Sequence, residues 1–337
     1  MRVAVIGAGG WGTALALLLT REGHAVRLWG RNPDFCARVQ QHRENTIYLP
    51  GARLSEQLLI SSSLVQVLEE AEVIVMVVPS HAMRAVAREV APLLQGKPFV
   101  VSATKGIEED SLLTMSRVLG ETMGTSSDES IAVLSGPSFA AEVARQYPTA
   151  VTVAAHKSAV ASAIQKVFSS QRFRVYTTTD VLGVEIGGAV KNVIALAAGV
   201  SDGLGHGHSA RAALITRGLA EIQRLARHLG AEARTLSGLS GIGDLILTCT
   251  SDLSRNYRVG VRLAQGESID SICQSMAMVA EGIRTSRSVF ALAQQLGVEM
   301  PIVAQVHALL YEGKSAQRSV ADLLAREMKP EFPYEEN

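Results

Sequence analysis

A lysine stands in the middle of a long apolar stretch in the second half of the chain, from Gly187 to Ala198. A helix that is apolar all round is buried, and burial of a lysine lowers its pKa. Lys191 is therefore a candidate general acid or base, and Asn192 beside it is the only other strongly polar residue of the stretch. The alternative is a lysine whose aliphatic stem lies on apolar surface while its ammonium reaches water.

An aspartate lies among three glycines in the segment GLSGIGDL, from Gly238 to Leu245. Such a segment predicts a loop that approaches another group closely, with Asp244 directed inward. A carboxylate there would be the charge partner that a buried Lys191 needs. The alternative is a glycine-rich turn in which the aspartate caps the backbone.

Three consecutive polar residues, Ser254, Arg255 and Asn256, combine a cation with several hydrogen-bond donors. Arginine binds phosphate oxygens in a bidentate way, so this segment is a candidate cradle for a small anion. The chain as a whole is neutral, with 32 basic and 32 acidic residues, and an anionic ligand must therefore be bound locally. The alternative is an exposed polar turn.

A glycine-rich segment, GAGGWG from Gly7 to Gly12, lies near the start of the chain. It fits the G-x-G-x-x-G pattern and stands between an apolar run, Val3–Ile6, and a helical pattern, Thr13–Arg21. In that context Gly7 makes the tight turn, Gly9 admits the pyrophosphate of a dinucleotide, and Gly12 lets helix and strand pack closely. The helix N-terminus supplies N–H groups to the phosphates. The alternative is a strand–helix turn without a ligand.

The residue that follows the second apolar run bears on which nicotinamide dinucleotide is bound. An NAD-specific site usually has an acid there that accepts hydrogen bonds from the ribose, but this chain reads LWGRN from Leu28 and lacks it. Arg31 can pair with a 2′-phosphate, which favours NADPH over NADH as the reductant. NADH stays open as an alternative, as does a solvated surface role for Arg31.

Two further polar segments follow predicted strands, SATKG from Ser102 and SGPSF from Ser135. Ligands of open α/β sheets bind at the carboxyl ends of the strands. Lys105 and Ser138 are therefore expected to face the nicotinamide end of the dinucleotide.

The elements that would position these residues differ between the two halves. The first half alternates short apolar runs with helical patterns, which predicts a doubly wound, Rossmann-type α/β domain with a parallel sheet. The expected strands are Val3–Ile6, Ala25–Leu28, Val73–Val78, Phe99–Val101, Ile131–Leu134, Ala150–Val153 and Arg174–Tyr176. The expected helices between them include Thr13–Arg21, His81–Leu94 and Leu112–Leu119.

The second half shows helical patterns only, with Asp180 as the expected cap of the first helix. The later helices are expected at Ala210–Leu229, Ser268–Met276, Ile283–Leu296 and Ile302–Tyr311. At 337 residues the chain is long enough for two domains. We expect a dinucleotide-binding domain at 1–179, a helical substrate and catalytic domain at 180–327, and a loose C-terminal tail at 328–337.

Composition argues against several classes of protein. Neutral net charge without a basic stripe argues against a nucleic-acid partner. Cys36, Cys249 and Cys273 are far apart, so we expect neither a disulfide framework nor a metal site, and a cytoplasmic location. The uncharged stretch from Val3 to Thr20 is interrupted by glycines, which argues against a signal peptide, and no other long apolar run predicts membrane insertion.

Taken together, these segments resemble the bacterial NAD(P)-dependent glycerol-3-phosphate dehydrogenases over roughly positions 3 to 315. The matching strings occur in order: GAGGWGTALA from Gly7, ATKGIE from Ala103, LSGPSFAAEV from Leu134, KNVIALAAG from Lys191, AALITRGLAE from Ala212, GLSGIGDLILTCTS from Gly238, LSRNYRVG from Leu253 and VAEG from Val279.

The resemblance implies reduction of a small phosphorylated substrate, dihydroxyacetone phosphate, to sn-glycerol 3-phosphate, with Lys191 as general acid/base. It implies substrate contacts from Lys105, Gly136, Ser138, Asp244, Ser254, Arg255 and Asn256. It implies cofactor contacts from Gly10, Trp11, Arg31, Lys105, Ala140, Arg255, Val279 and Glu281. The chain departs from the family at His208-Ser209, where an Asp-Asn pair is usual, and the contribution of this loop, which includes His206, stays open.

Two other functions stay open at this point. One is a reductase of another small ketone or 3-hydroxy acid, from which the phosphate cradle at 254–256 distinguishes the expected activity. The other is an NADPH-sensing regulatory protein, which would not need the polar set around Lys191. A homodimer through the helical domain is an option that no apolar stripe supports.

Overall fold

The computed structural model of the chain describes residues 1–124, 130–276, 278–328 and 330–331. Its first half contains one eight-stranded sheet in the order β3-β2-β1-β4-β5-β6-β7-β8. The strands are β1 (Arg2–Ile6), β2 (Ala25–Trp29), β3 (Leu59–Ser61), β4 (Val73–Met76), β5 (Phe99–Ser102), β6 (Ile131–Ser135), β7 (Thr149–Ala154) and β8 (Phe173–Thr178). The seven expected strands are thus confirmed, and the three-residue β3 is additional.

The sheet departs from the expected parallel arrangement at one position, because β7 runs antiparallel to β6, with Leu134 opposite Val153. The connection between these strands carries only a five-residue helix. A helix of that length rises about 7.5 Å, which is too short to carry the chain back along the sheet for a parallel return. All other neighbouring strands are parallel.

Helices cover both faces of the sheet and form the whole regular structure of the described residues beyond position 180. They are α1 (Gly10–Arg21), α2 (Pro33–His42), α3 (Leu64–Leu68), α4 (Met83–Val90), α5 (Met115–Met123), α6 (Ala140–Ala144), α7 (Ser158–Phe168), α8 (Val181–Gly203), α9 (Gly207–His228), α10 (Ala233–Leu236), α11 (Asp244–Thr250), α12 (Arg255–Ala264), α13 (Ile269–Ser275), α14 (Glu281–Leu296), α15 (Pro301–Tyr311) and α16 (Ala316–Leu324).

Two expected helices have different bounds in the structure. The segment 81–94 is helical over Met83–Val90 and has a 3₁₀ turn at each end, at Ser80–Ala82 and Ala91–Leu93. The helix expected from Leu112 begins only at Met115, because Leu112 adopts a left-handed backbone conformation, with φ of 57°, that cannot continue a helix.

Helix α8 is the centre of the helical half. Asp180 caps it as expected, since its Oδ1 accepts a hydrogen bond from Gly183 N at 2.9 Å. The 23-residue helix is long and apolar enough to cross a membrane, but 94% of its most apolar window is buried inside the protein. Its apolar character therefore fits a core helix, around which the hydrophobic core of the helical half is built. Most of the expected tail at 328–337 lies outside the described residues.

Candidate active site

Lys191 lies in the buried middle of α8 and is only 6% exposed. Its Nζ donates hydrogen bonds to Asp244 Oδ1 and, at 2.7 Å, to Thr248 Oγ1. The glycines before it allow neighbouring segments to come close: a Cβ at Gly187 would stand 2.6 Å from the backbone oxygen of Ser240. The ammonium is thus held inside the protein, not at its surface.

Asp244 is 1% exposed and pairs with a second ammonium. Its Oδ2 accepts from Lys105 Nζ at 2.6 Å, and the same Nζ donates to Gly136 O at 3.2 Å. The prediction of a glycine-rich loop around this residue is wrong, since residues 239–243 form a π-helical turn that leads into α11. The glycines serve close packing there, because a Cβ at Gly241 would lie 2.0 Å from Leu236 O.

Burial and the two neighbouring charges together set the protonation of Lys191. Burial lowers the pKa of Lys191 to about 7, and the positive charge of Lys105 adds to that lowering, while Asp244 opposes it. An amine with a pKa near neutrality can both give and take a proton under ordinary conditions.

The segment 254–256 is the N-terminus of α12, not an exposed turn. Ser254 caps the helix by accepting from Tyr257 N at 3.2 Å. Asn256 is 7% exposed, donates to Asn192 Oδ1 at 2.9 Å, and accepts from Gly282 N at 2.9 Å. The bond to Asn192 places this helix start next to Lys191, where a helix N-terminus favours an anion.

Arg255 is oriented by the backbone of the residues just before α14. Its guanidinium donates to Val279 O at 2.6 Å, and it lies near Glu281, whose negative charge opposes the lowering of the Arg255 pKa by burial. Glu281 in turn accepts two hydrogen bonds from Ser80, which follows β4. The expected residues on α12 and α14 are therefore brought together near the carboxyl end of the sheet.

Gly136 and Ser138 follow β6 at the same end of the sheet. Gly136 has a φ of 142°, and a Cβ on it would stand 2.9 Å from Val151 Cα, so only glycine fits there. Ser138 Oγ donates to Gly136 O at 3.1 Å, the carbonyl that Lys105 also contacts. Both residues thus lie beside the paired ammonium of Lys105.

The glycine-rich segment fits a dinucleotide. Gly7 has a φ of 124°, and a Cβ at Gly12 would lie 1.9 Å from Gly7 O, so strand and helix meet without room for a side chain. A Cβ at Gly9 meets nothing within 4 Å, which leaves open space at the N-terminus of α1. A Cβ at Gly10 would stand 3.8 Å from Ala140 Cβ, so Ala140 borders this segment. Trp11 is partly buried against the core.

Arg31 lies apart from the paired lysines, exposed after β2 and just before the cap of α2 at Asn32. His208 and Ser209, where the chain departs from the family pattern, lie in the first turn of α9 and not in a loop. His208 Nδ1 is 2.7 Å from a guanidinium nitrogen of Arg211, which pairs with Asp202 at 2.5 Å. His206 directly precedes α9.

Sequence reasoning missed three residues that support these groups. Asn45 is fully buried and donates to Ala8 O at 3.0 Å and to Thr13 Oγ1 at 2.8 Å, which braces the glycine-rich segment. Tyr48 lies over Gly10, since a Cβ there would be 2.6 Å from its carbonyl oxygen. Thr248 accepts from Lys191. Of these three residues, only Thr248 could have been found from the sequence, because it lies one helical turn after Asp244.

Comparison with known proteins gives consistent matches over the whole chain. A family model described as NAD-dependent glycerol-3-phosphate dehydrogenase N-terminus matches residues 2–161, and its C-terminus counterpart matches 180–321. A glycerol-3-phosphate dehydrogenase (NAD(P)+) of Citrifermentans bemidjiense is 49% identical over 330 residues, 98% of each chain. One of Syntrophotalea carbinolica is 50% identical over 332 residues, 98% of this chain and 100% of the relative.

Solved structures agree. The crystal structure of a glycerol-3-phosphate dehydrogenase from Coxiella burnetii has 42% identity and a TM-score of 0.92, covering 96% of this chain and 98% of its own. A D-mandelate dehydrogenase with 13% identity and a TM-score of 0.63, covering 95% of this chain and all of its own, shares the fold alone.

Proposed function

The chain belongs to the NAD-dependent glycerol-3-phosphate dehydrogenase family, and we propose that Lys191, Asp244 and Lys105 carry its chemistry. The reaction is the reversible, NAD(P)H-dependent reduction of dihydroxyacetone phosphate to sn-glycerol 3-phosphate, which supplies the glycerol backbone of phospholipids. The observation that supports this assignment best is the buried pair of Lys191 and Asp244, with Lys105 on the second carboxylate oxygen.

The proton of the reaction is assigned to Lys191. When bound, the nicotinamide supplies the hydride that reduces the ketone carbon. Negative charge then grows on the carbonyl oxygen, and the Lys191 ammonium gives it the proton that completes the alcohol. Lys105 stabilises the same oxygen by its positive potential. Asp244 and Thr248 keep the Lys191 Nζ in one orientation.

The phosphate of the substrate is assigned to the start of α12. Arg255 supplies the cation, and Ser254 and Asn256 supply polar groups at a helix N-terminus, where an anion is favoured. Gly136 and Ser138 border the remaining side. Binding energy from the phosphate, which does not react, positions the ketone against Lys191.

The dinucleotide is assigned to the segment from Gly7 to Gly12, with Ala140, Arg255, Val279 and Glu281 along its path. The open space at Gly9 and the free N–H groups at the start of α1 suit a pyrophosphate. Arg31 suits a 2′-phosphate, so NADPH is the preferred reductant, and NADH is accepted as well.

One assay tests this proposal. NADPH absorbance should decay when dihydroxyacetone phosphate is added and stay constant with an unphosphorylated ketone such as dihydroxyacetone. Binding of NADPH without any decay would favour the sensor function instead. Decay with a carboxylate ketone but not with dihydroxyacetone phosphate would favour the other reductase.

Three broader expectations accompany the proposal. The division into domains at 179/180 is kept, because the last strand ends at Thr178 and α8 begins at Val181. A cytoplasmic location follows from the few scattered cysteines. A homodimer through the helical domain is an expectation that size-exclusion chromatography with light scattering would test.

A further inference from the structure

Ser80 is a buried serine, 3% exposed, in the short 3₁₀ turn that follows β4. Both of its hydrogen-bond donors go to one carboxylate: its backbone N is 3.1 Å from Glu281 Oε1, and its Oγ is 2.5 Å from Glu281 Oε2. Hydrogen bonds to a charged group are roughly twice as strong as neutral ones. Each oxygen of Glu281 thus has its own donor on a single residue 201 positions away in the sequence.

The surroundings fix Ser80 in place. Gly106 has a φ of 155°, and a Cβ on it would stand 2.6 Å from Ser80 Cβ, so the backbone after Lys105 packs directly on the serine. Glu281 is the first residue of α14, where a negative charge is favoured by the helix dipole. The contact therefore joins the sheet to the helical half, between the segment that carries Lys105 and the segment that carries Arg255.

Glu281 also has a second group within electrostatic reach. Arg255 is partly buried, and the negative charge of Glu281 opposes the lowering of its pKa by desolvation. A carboxylate with no donors of its own would turn toward such a cation, since opposite charges at a partly buried site attract each other. The two hydrogen bonds from Ser80 keep both oxygens of Glu281 directed to the sheet instead.

We propose that Ser80 is a positioning residue that holds Glu281 away from Arg255 and so keeps the guanidinium available to the anionic ligand. This inference rests on the proposed function, in which Glu281 and Arg255 border the dinucleotide. It assigns no chemistry to Ser80 itself. Loss of its hydroxyl weakens ligand binding and leaves the proton transfer at Lys191 in place.

Direct binding of NADPH, followed by its fluorescence, tests the inference without turnover. Ser80→Ala should raise the Kd of NADPH roughly tenfold, because the released Glu281 must be drawn off Arg255 before the ligand binds, at a cost comparable to one hydrogen bond to a charged group, while kcat stays within about twofold. Ser80→Cys, which keeps the shape and donates more weakly, should give an intermediate Kd. Ser288→Ala is the matched control, because its hydroxyl is equally buried but donates to Ile107 O at 3.1 Å and not to Glu281.

A double-mutant cycle decides whether Ser80 acts through Glu281. Ser80→Ala should raise the Kd no further in a protein that already carries Glu281→Gln. Equal Kd values for Ser80→Ala, Ser288→Ala and the parent would overturn the inference, as would additive effects in the double mutant. A parent that binds NADPH without reducing dihydroxyacetone phosphate would instead refute the proposed function, and the binding cycle would still test Ser80.

Discussion

Lys191 and Asp244 form a buried ion pair in which a lysine of α8 meets the first residue of α11. The other oxygen of the carboxylate binds Lys105 at 2.6 Å, so one negative charge serves two ammonium groups. An excess positive charge in a buried site favours release of a proton and attracts an anionic ligand. Both properties follow from the same arrangement, and substitutions at different residues should separate them.

Replacement of the lysine should remove proton transfer while binding is retained. Lys191→Met keeps most of the length of the side chain without its charge, and Asp244 keeps Lys105 as its partner. We expect kcat for dihydroxyacetone phosphate reduction to fall by about 10² to 10⁴, with the Kd of NADPH within about threefold of the parent. Steady-state kinetics and NADPH fluorescence measure the two quantities. Lys97→Met, at an exposed lysine, is the control, and a kcat near that of the parent would refute the role of Lys191.

The pH dependence of kcat should follow the protonation of Lys191. Its pKa of about 7 means that the ammonium is present below that pH and is lost above it. Reduction needs the ammonium, so its kcat should fall as the pH rises through about 7, whereas oxidation of glycerol 3-phosphate needs the amine and should become faster. Asp244→Asn should move both profiles to lower pH, because Asp244 raises the pKa of Lys191.

The control for this shift is Asp252→Asn, at an exposed aspartate of the turn before α12. It should leave both pH profiles unchanged. Identical profiles for Asp244→Asn and Asp252→Asn, or parallel pH profiles in the two directions of reaction, would show that another group controls the rate.

Much of this site was predictable where local pattern and tertiary structure agree. The burial of Lys191 follows from the apolar residues around it, and the strands that carry Lys105 and Gly136 follow from continuous apolar runs. Asp244 was predicted as the partner, but its glycines were interpreted as a loop. Glycine permits both a free loop and a tightly packed helical turn, so its presence alone does not distinguish them.

Other features depend on contacts between distant segments. The antiparallel direction of β7 is set by the short connection after β6 and not by the residues of either strand. Asn45 lies in no periodic segment, yet its side chain braces the backbone before α1. The roles of Val279 and Glu281 came from the resemblance to a family, since an acidic residue at a helix start commonly serves only its own helix.

The phosphate anchor should be separable from the proton donor. Arg255→Ala removes the cation at the start of α12, so we expect the KM for dihydroxyacetone phosphate to rise about 10- to 100-fold, as for a lost hydrogen bond to a charged group. Arg258→Ala, at an exposed arginine of the same helix, controls for general loss of positive charge. A KM equal in the two variants would place the anchor elsewhere.

Preference for NADPH should depend on the arginine after β2. Arg31→Ala should raise the KM for NADPH about tenfold and leave the KM for NADH nearly unchanged, because only NADPH carries the 2′-phosphate. Arg38→Ala, at another exposed arginine of the same region, should change neither. The ratio of kcat/KM for the two dinucleotides measures the effect. Equal losses with both dinucleotides would mean that Arg31 does not read the 2′-phosphate.

Two substitutions in the glycine-rich segment should affect folding and cofactor binding separately. A Cβ at Gly9 meets nothing within 4 Å, so Gly9→Ala should keep the Tm of the parent. The same methyl group would occupy the space through which a pyrophosphate approaches the backbone, so the Kd of NADPH should rise at least about tenfold. Gly12→Ala is the contrasting variant, because its Cβ would lie 1.9 Å from Gly7 O and must displace the backbone. It should lower the Tm even without a ligand, and a Gly9→Ala protein that binds NADPH like the parent would place the dinucleotide elsewhere.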